Sequence, residues 1–254
     1  FDTVEGDPFN PREIREAADR IRALGFFSES NVETREGSNP TQVVVDVDVE
    51  EQPTGSLSLG GSFSDDTGIA LAIGFTERNF LGRGQALTFN LQSGTENQNA
   101  VFSFTEPAFL GRDVALGIAL NYRTTDFDNA AYETEVATIS PSLSFPTSEN
   151  GRLRVFYELG NEKIKNVTSA ASAVIQNEEG EVWKSAIGYS YTLDLLRGGL
   201  DPTRGARFTF GQEIAGLGGD AKYIRTDAQI VAERPVWNDE VVLRAIFEGG
   251  SINS

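Results

Sequence analysis

The segment Gly-Arg-Gly at residues 82–84 comes closer than any other part of this sequence to a phosphate-binding loop. Such a loop holds phosphate with backbone N–H groups at the N-terminus of a helix, and Lys with Ser or Thr completes the motif. The residues that follow here, QALTFNLQ, alternate as in a strand and contain no Lys. We therefore interpret the segment as a tight turn.

Two pairs of acidic residues, Asp65-Asp66 and Glu178-Glu179, have the chemistry of a general acid and base or of calcium ligands. Both pairs fall in predicted hairpin loops, where acidic side chains are ordinarily solvated. The chain has no His and no Cys, so the commonest general base, the commonest metal ligand and every thiolate are missing. The sequence therefore predicts a protein that is not an enzyme, with no catalytic residue, no cofactor and no metal.

Composition narrows the class of protein further. The 254 residues are enough for one large domain, or for a large domain with a small one. The net charge of −17 disfavours nucleic acid as a partner, because phosphates need a basic surface. No run of 18 or more apolar residues occurs, so the sequence predicts no transmembrane helix.

Residues 1 to about 52 predict a small α/β unit. Asn10 followed by Pro11 is typical of a helix start, and Gly25 of a helix end. Between them, apolar residues recur at helical spacing: Ile14, Ala17, Ala18, Ile21 and Leu24. A strand through Val32, a turn at 36–40 and a strand in VVVDVDVE at 43–50 follow. We predict a helix packed on a small sheet.

From about Gly55 onward the helical period gives way to a period of two, which indicates strands. In the segment 86–92, for example, Leu87, Phe89 and Leu91 share one face, and Thr88, Asn90 and Gln92 share the other. About eleven such segments follow one another as hairpins. Most have roughly the 9–11 residues that a tilted strand needs to cross a bilayer.

Alternation alone is compatible with a soluble β-sandwich or with a membrane barrel. Three features favour the barrel. The strands are long successive hairpins with very few Lys to protect edges. Their connections alternate between compact turns and longer polar loops. Aromatic residues cluster near the predicted strand ends, where interfacial girdles lie; they are Phe80, Phe109, Tyr122, Phe145, Tyr189, Tyr191 and Trp237.

The frame Phe-Thr-Glu, two variable residues, Phe-Leu-Gly-Arg occurs twice, in FTERNFLGRG at 75–84 and in FTEPAFLGRD at 104–113. Two strands and one loop separate the copies, so both belong to the same rim. We predict two tight turns, in which Gly82 and Gly111 permit the backbone to bend. The turn residues are Phe80, Leu81, Gly82 and Arg83 in the first copy, and Phe109, Leu110, Gly111 and Arg112 in the second.

The first predicted strand, residues 55–64, is rich in Gly and Ser and has little β-branched content, so its pairing should be weak. Weakly specified strands slip and separate. Two interpretations stay open: a strand built to separate from its neighbour, or a strand that is Gly-rich to fit a tight wall. Its residues are Gly55, Ser56, Leu57, Ser58, Leu59, Gly60, Gly61, Ser62, Phe63 and Ser64.

Charged residues on the predicted inward face would be buried and would have to pair. We expect an ion-pair lattice that braces the wall, rather than a selectivity filter. The residues are Arg154, Glu158, Arg207, Glu213, Arg225, Asp227, Arg244 and Glu248.

Several segments, in order along nearly the whole chain, resemble the BamA family of outer-membrane β-barrel assembly factors. They are RALGFF at 22–27, EEQPTGSLSLGGSFS at 50–64, RNFLGRG at 78–84, TEPAFLGRD at 105–113 and YTLDLLRGGLDPTRGARF at 191–208. TamA-type modules and two-partner secretion transporters share the architecture, but the intact RNFLG turn favours the BamA family. The alternative function is therefore a related POTRA-barrel translocation module or a secretion transporter.

The resemblance implies a mainly β fold: an antiparallel transmembrane β-barrel, with about eleven of sixteen strands present, after a partial α/β POTRA domain. Residues 1–52 would be the C-terminal part of the last POTRA domain, and residues 53–254 the N-terminal part of the barrel. The family's Arg-Gly-Phe motif and last five or so strands would lie beyond Ser254, so we expect a fragment.

The resemblance also implies a function in the bacterial outer membrane. Such proteins fold and insert other outer-membrane proteins through a lateral seam, here at residues 55–64, which would template incoming strands. The expected partners are outer-membrane lipid, unfolded outer-membrane proteins, BamD-like and other assembly lipoproteins, and periplasmic chaperones. Glu5 would contact the BamD-like lipoprotein. The two tight turns would face the periplasm, with Arg83 and Arg112 reaching the headgroups.

Overall fold

The computed structural model describes residues 6–39, 41–64, 68–126, 130–196, 204–237 and 240–254. The chain divides into two compact units, Phe1–Gly55 and Ser56–Ser254.

The first unit contains a helix and a hairpin of two antiparallel strands. Their bounds are Pro11–Ala23 for α1, Phe27–Glu36 for β1 and Val43–Glu51 for β2. The Asn10 side chain caps the helix by accepting a hydrogen bond from the N–H of Arg12 at 3.1 Å. Ile14, Ala17 and Ala18 form the buried stripe of α1, which packs against β1. The helix and both strands predicted from the sequence are confirmed.

The second unit is one sheet of eleven strands, in which each strand pairs with its neighbours in the sequence. The strands are β3 Gly55–Ser64, β4 Gly68–Phe80, β5 Gln85–Gly94, β6 Asn97–Glu106, β7 Ala115–Thr125, β8 Glu133–Pro146, β9 Gly151–Lys165, β10 Gly180–Asp194, β11 Gly205–Ala215, β12 Tyr223–Val236 and β13 Val241–Asn253. Neighbouring strands from β4 to β13 all pair antiparallel. A short 3-10 turn at Phe109–Gly111 and the helix α2 at Ala173–Asn177 lie in the connections.

The sheet has one apolar and one polar face, because side chains alternate along every strand and the registers place residues of the same face opposite one another. On β7, for example, Ile118 and Leu120 lie on the apolar face, while Ala119 and Asn121 lie on the polar one. The apolar face carries exposed large side chains from one edge to the other: Leu57, Leu59, Phe63, Ile69, Leu71, Ile73, Phe89, Ile118, Leu120, Ile139, Leu143, Leu159, Ile187, Phe208, Ile214, Ile230, Leu243 and Phe247.

This exposure argues against the sandwich, in which a second sheet would cover the apolar face. Within the described ranges the strands form this sheet and the β1–β2 hairpin, so no such second layer is seen. No helix in the described part of the chain has the length and apolar character needed to cross a membrane.

The polar face is held together by charged side chains that centre on Glu213, of which 1% is exposed. Its Oε1 accepts a hydrogen bond from the Tyr223 hydroxyl at 2.6 Å and lies 2.8 Å from Lys184 Nζ. Its Oε2 accepts a hydrogen bond from Arg225 at 3.1 Å. Lys184 also donates to Glu158 at 2.7 Å. A buried carboxylate is tolerated here because cations on both neighbouring strands satisfy it.

The predicted ion-pair lattice is present for six of the eight expected residues. Beyond the Glu213 cluster, Arg207 pairs with Asp194 at 2.6 Å, and Arg244 with Glu233 at 3.3 Å. Arg225 also lies 3.8 Å from Asp227. The expectation of burial is wrong for Asp227 and Arg244, whose side chains are 54% and 59% exposed although they pair. For Arg154 and Glu248 the expectations of burial and of pairing are both wrong. Both side chains are exposed, and neither forms an ion pair with any described residue.

Replacement of Glu213 by Gln should lower the free energy of unfolding by about 1–3 kcal/mol, because Lys184 and Arg225 each lose a charged partner. Urea unfolding of the protein in detergent micelles measures this. Glu248→Gln, an exposed change on the same face, is the control and should stay within about 0.5 kcal/mol of the parent. Equal effects of the two substitutions would contradict a structural role of the Glu213 cluster.

Candidate functional site

The strand β3 lies at one edge of the eleven-stranded sheet. It is hydrogen-bonded to β4, and no described strand pairs with its other side. All the residues singled out by the sequence, Gly55, Ser56, Leu57, Ser58, Leu59, Gly60, Gly61, Ser62 and Phe63, belong to this one strand. The outer edge of β3 therefore presents backbone N–H and C=O groups that can pair with a further strand.

Small side chains mediate the contact between β3 and β4. The Ser58 hydroxyl donates to the Gly74 carbonyl at 3.3 Å. At Gly60 and Gly61 the nearest β4 side chains are Ala72 and Leu71, and a Cβ atom added to either glycine would meet them at ordinary contact distances of 3.8 and 3.7 Å. A Cβ atom is thus accommodated at both positions, so contact with β4 does not by itself require glycine at either one.

The exposed faces and edge of β3 lack the features by which proteins usually protect an edge strand. Leu57, Leu59 and Phe63 are 67%, 74% and 72% exposed on the apolar face. The strand contains no charged residue and no Pro, which are common blocks to unwanted pairing. At the other end of the sheet, β13 contains both Arg244 and Glu248. β3 is thus an uncharged edge, open to added strands.

The repeated Phe-Leu-Gly-Arg segments form the same turn twice. Leu81 and Gly82 have φ angles of 57° and 69°, and Leu110 and Gly111 have 57° and 68°. In each copy the Arg N–H donates to the Phe carbonyl at 3.3 Å. Positive φ at both central residues is the pattern of a type I′ hairpin turn. The prediction of two tight turns that need glycine is confirmed.

A feature that the sequence reasoning missed is the left-handed backbone of the two leucines, which L-residues with large side chains rarely adopt. Leu81 and Leu110 are 72% and 80% exposed. Trp237, after β12, shares both properties, with φ of 54° and 81% exposure. Because the sheet is a run of hairpins, these three residues lie on the same rim. The repeated Leu-Gly pair indicates a turn, but it does not indicate a left-handed backbone at the leucine.

The other candidate sites from the sequence are the Gly-Arg-Gly segment, the acidic pairs and Glu5. Gly84 donates its N–H to Asn79 Oδ1 at 2.7 Å and leads into β5, so residues 82–84 precede no helix and offer no phosphate cradle. Glu178 ends α2, and Glu179 accepts the Val167 N–H at 3.4 Å. Among the described residues, no three of His, Cys, Asp and Glu gather as metal ligands would. Glu5, Asp65 and Asp66 lie outside the described residues.

Comparison with known families identifies the superfamily to which the chain belongs. Residues 79–254 match the model of the Omp85 superfamily domain, and residues 1–52 match a POTRA model described as a surface antigen variable number repeat. The chain belongs to the Omp85 superfamily. The resemblance to the BamA family and the predicted mainly β fold with an initial POTRA portion are confirmed.

Individual relatives agree with this assignment. The chain is 29% identical over 98% of its length to an outer membrane protein assembly factor BamA from Neorickettsia risticii, and covers 34% of that protein. It is 27% identical over 94% of its length to a sorting and assembly machinery component 50 homolog from Mus musculus, and covers 51% of it. The chain thus spans about a third to a half of these relatives.

Solved structures support the fold. BamA from Haemophilus ducreyi lacking POTRA domains 1–3 superposes with a TM-score of 0.70 at 22% identity, over 99% of this chain and 51% of that one. CdiB from Escherichia coli superposes with a TM-score of 0.62 at 14% identity, over 99% of this chain and 50% of that one. At these identities the likeness concerns the fold alone.

Replacement of Leu81 or Leu110 by Asn should raise the free energy of unfolding by about 0.5–1 kcal/mol, because Asn tolerates the left-handed conformation better than Leu. Leu81→Val should lower it by about 1–2 kcal/mol, because a β-branched side chain is least compatible with positive φ. Urea titration in detergent micelles measures both changes. A destabilising Asn together with a neutral Val would show that side-chain contacts outweigh the backbone geometry.

Proposed function

We propose that this chain is part of an assembly factor that folds β-barrel proteins and inserts them into the bacterial outer membrane, through a lateral seam at β3. The curated relatives are named as outer membrane protein assembly factors and as a sorting and assembly machinery component. The observation that carries the proposal is the uncharged edge of β3, which has small side chains toward β4 and exposed apolar residues toward the membrane. No chemical step is needed, so the function is not enzymatic.

Strand addition explains how such an edge would act. An extended client segment that pairs with β3 gains main-chain hydrogen bonds of the kind that β4 already makes on the other side. Main-chain pairing is largely independent of client sequence, which suits a factor that serves many clients. Alternation then sets the register, since Leu57, Leu59 and Phe63 would align with lipid-facing side chains of the client.

Orientation and partners follow from the same proposal. The apolar face contacts outer-membrane lipid, and the rim with Leu81, Leu110 and Trp237 faces the periplasm, together with the POTRA portion. There the apolar tips enter the interface, and Arg83 and Arg112 reach the headgroups. The partners are unfolded outer-membrane proteins, BamD-like and other assembly lipoproteins, one of them at Glu5, and periplasmic chaperones. Nucleic acid is not among them.

The alternative, a POTRA-barrel translocation module or a secretion transporter, would use the polar face as a passage rather than β3 as a template. The likeness to CdiB concerns the fold alone and does not favour it. Cross-linking to a client protein separates the two functions, because a passage predicts client contacts on the polar face of interior strands, whereas a template predicts them along β3.

Cys introduced at Ser56 or Ser58 of the full-length protein should form disulfide cross-links to a Cys placed in the edge strand of a stalled client barrel, because both residues lie on the edge strand. Ser103 is the matched control, since it is a polar-face serine on β6 with paired neighbours Thr88 and Ala119 on both sides. Client adducts are counted by gel shift after oxidation. Adducts at Ser103 that equal those along β3 would rule out the seam.

The double substitution Gly60→Thr/Gly61→Val should strengthen β3–β4 pairing, because a Cβ atom is accommodated at both positions and Thr and Val favour strands. We expect the free energy of unfolding to rise by about 0.5–1 kcal/mol, while client adducts at Ser58 and the assembly of client barrels in proteoliposomes decline. Full assembly by the stabilised variant would mean that β3 does not need to separate from β4.

A further inference from the structure

A cavity of about 650 Å³ opens on the polar face, near the rim formed by the β8–β9 turn. Its lining includes Ser144 on β8, Arg154 on β9 and Ser190 on β10. The strand registers place Arg154 directly opposite Ser144 on one side and Ser190 on the other. A guanidinium between two hydroxyls is therefore built into three neighbouring strands.

The row across the sheet makes Arg154 stand out. Beyond Ser144 lies Ala115 on β7, and beyond Ser190 lies Gly211 on β11. Arg154 is thus the one long side chain in a row of five residues that otherwise have small ones. Its guanidinium carbon lies 4.9 Å from the centre of the Phe156 ring, two residues along the same face. This cation–π contact orients the guanidinium without using its N–H donors in hydrogen bonds.

Neither the guanidinium nor the two hydroxyls bind another protein group. In the described part of the chain, Arg154, Ser144 and Ser190 form no hydrogen bond or ion pair through their side chains, and both serines are half-buried. Glu158, whose charge acts on Arg154, and Asp194, which lines the same cavity, are each bound by another cation. Glu158 is bound by Lys184 at 2.7 Å, and Asp194 by Arg207 at 2.6 Å. The guanidinium and both hydroxyls thus line the cavity without a hydrogen-bond partner among the described residues.

The other charges around the cavity define what it can accept. Arg152 pairs with Asp113 at 3.2 Å, so this pair adds no net charge. Glu149 in the β8–β9 turn also lines the cavity. One unpaired cation with two neutral hydroxyls matches a singly charged carboxylate, which a guanidinium binds with two parallel hydrogen bonds. A phosphate dianion would retain a surplus negative charge close to Glu149.

We propose that Arg154, Ser144 and Ser190 form a binding site for the carboxylate of an acidic peptide on the polar face of the sheet. Lipid headgroups are the less suitable source of an oxyanion, because Arg154 lies on the face opposite the exposed apolar side chains. The inference rests on the proposed function in one respect, since a client polypeptide is the peptide that this face would meet. The site would hold a client segment on the polar face, away from the β3 edge.

The test measures peptide binding to the full-length protein in detergent by fluorescence anisotropy. The probe is an acetylated and amidated five-residue peptide of Ser and Ala with a central Glu and a neutral dye, and the reference probe has Gln in place of Glu. We expect the Glu peptide to bind about tenfold more tightly, because hydrogen bonds to a charged partner exceed those to a neutral amide by that order. Equal binding of the two probes would overturn the proposal.

Arg154→Gln should abolish the preference for Glu, and Ser144→Ala or Ser190→Ala should each reduce it by about threefold. The double variant Arg152→Gln/Asp113→Asn is the matched control, because it removes a paired cation and its partner from the same cavity. It should keep the preference, whereas Glu149→Gln should increase it. Retained preference in Arg154→Gln, or its loss in the double variant, would assign the binding to another place.

Competition identifies the source of the oxyanion. Acetate should displace the Glu peptide at a lower concentration than inorganic phosphate does. The protein in nanodiscs of anionic lipid should bind the peptide with the same affinity as the protein in nanodiscs of neutral lipid. Stronger displacement by phosphate or by anionic lipid would overturn the peptide assignment. No client is folded in these measurements, so their failure would leave the β3 seam untouched, and failed cross-linking at Ser58 would leave the carboxylate site untouched.

Discussion

Backbone hydrogen bonding is the interaction on which the rest of this structure depends. A strand inside an antiparallel sheet satisfies its N–H and C=O groups on both sides, and every strand from β4 to β12 does so. Among the eleven strands of this sheet, only the two outermost retain a free side within the described part of the chain. They differ in chemistry, since β13 has charged residues and β3 has none. The capacity to bind another strand is therefore concentrated at β3.

The alternation of side chains lets one sheet serve two environments. The apolar face needs no partner in hydrocarbon, whereas charges on the opposite face must be satisfied by one another or by water. Glu213 is the example of a charge satisfied by other side chains, because its nearly inaccessible carboxylate has three donors from two neighbouring strands. Arg154 shows the reverse case, a cation that the sheet leaves exposed and unpaired beside two hydroxyls.

Sequence reasoning recovered the parts of the fold that local patterns encode. The period of two identified the strands and both faces, and the glycines of the Phe-Leu-Gly-Arg repeat identified the turns. It could not identify Lys184 as a partner of Glu213 or Glu233 as a partner of Arg244, because strand register is a property of the whole sheet. The left-handed backbone at Leu81 was missed for a different reason: intrinsic preference opposes it, and the hairpin imposes it. The edge position of residues 55–64 was anticipated from the resemblance to the BamA family, while the unpaired Arg154 was not anticipated.

Side-chain bonding is unevenly distributed along the sheet, which bears on where the proposed seam would open. Separating β10 from β11 would expose Glu213 and break its contact with Lys184, which is costly in a low-dielectric setting. Separating β3 from β4 breaks backbone hydrogen bonds and the Ser58–Gly74 hydrogen bond, and on the polar face it exposes small side chains such as Ser58 and Ala72. Local opening follows the region with the fewest satisfied interactions. In the proposed function, the ion pairs of β9 to β12 would therefore hold that part of the wall closed, whereas β3 would be held to β4 without an ion pair between described residues.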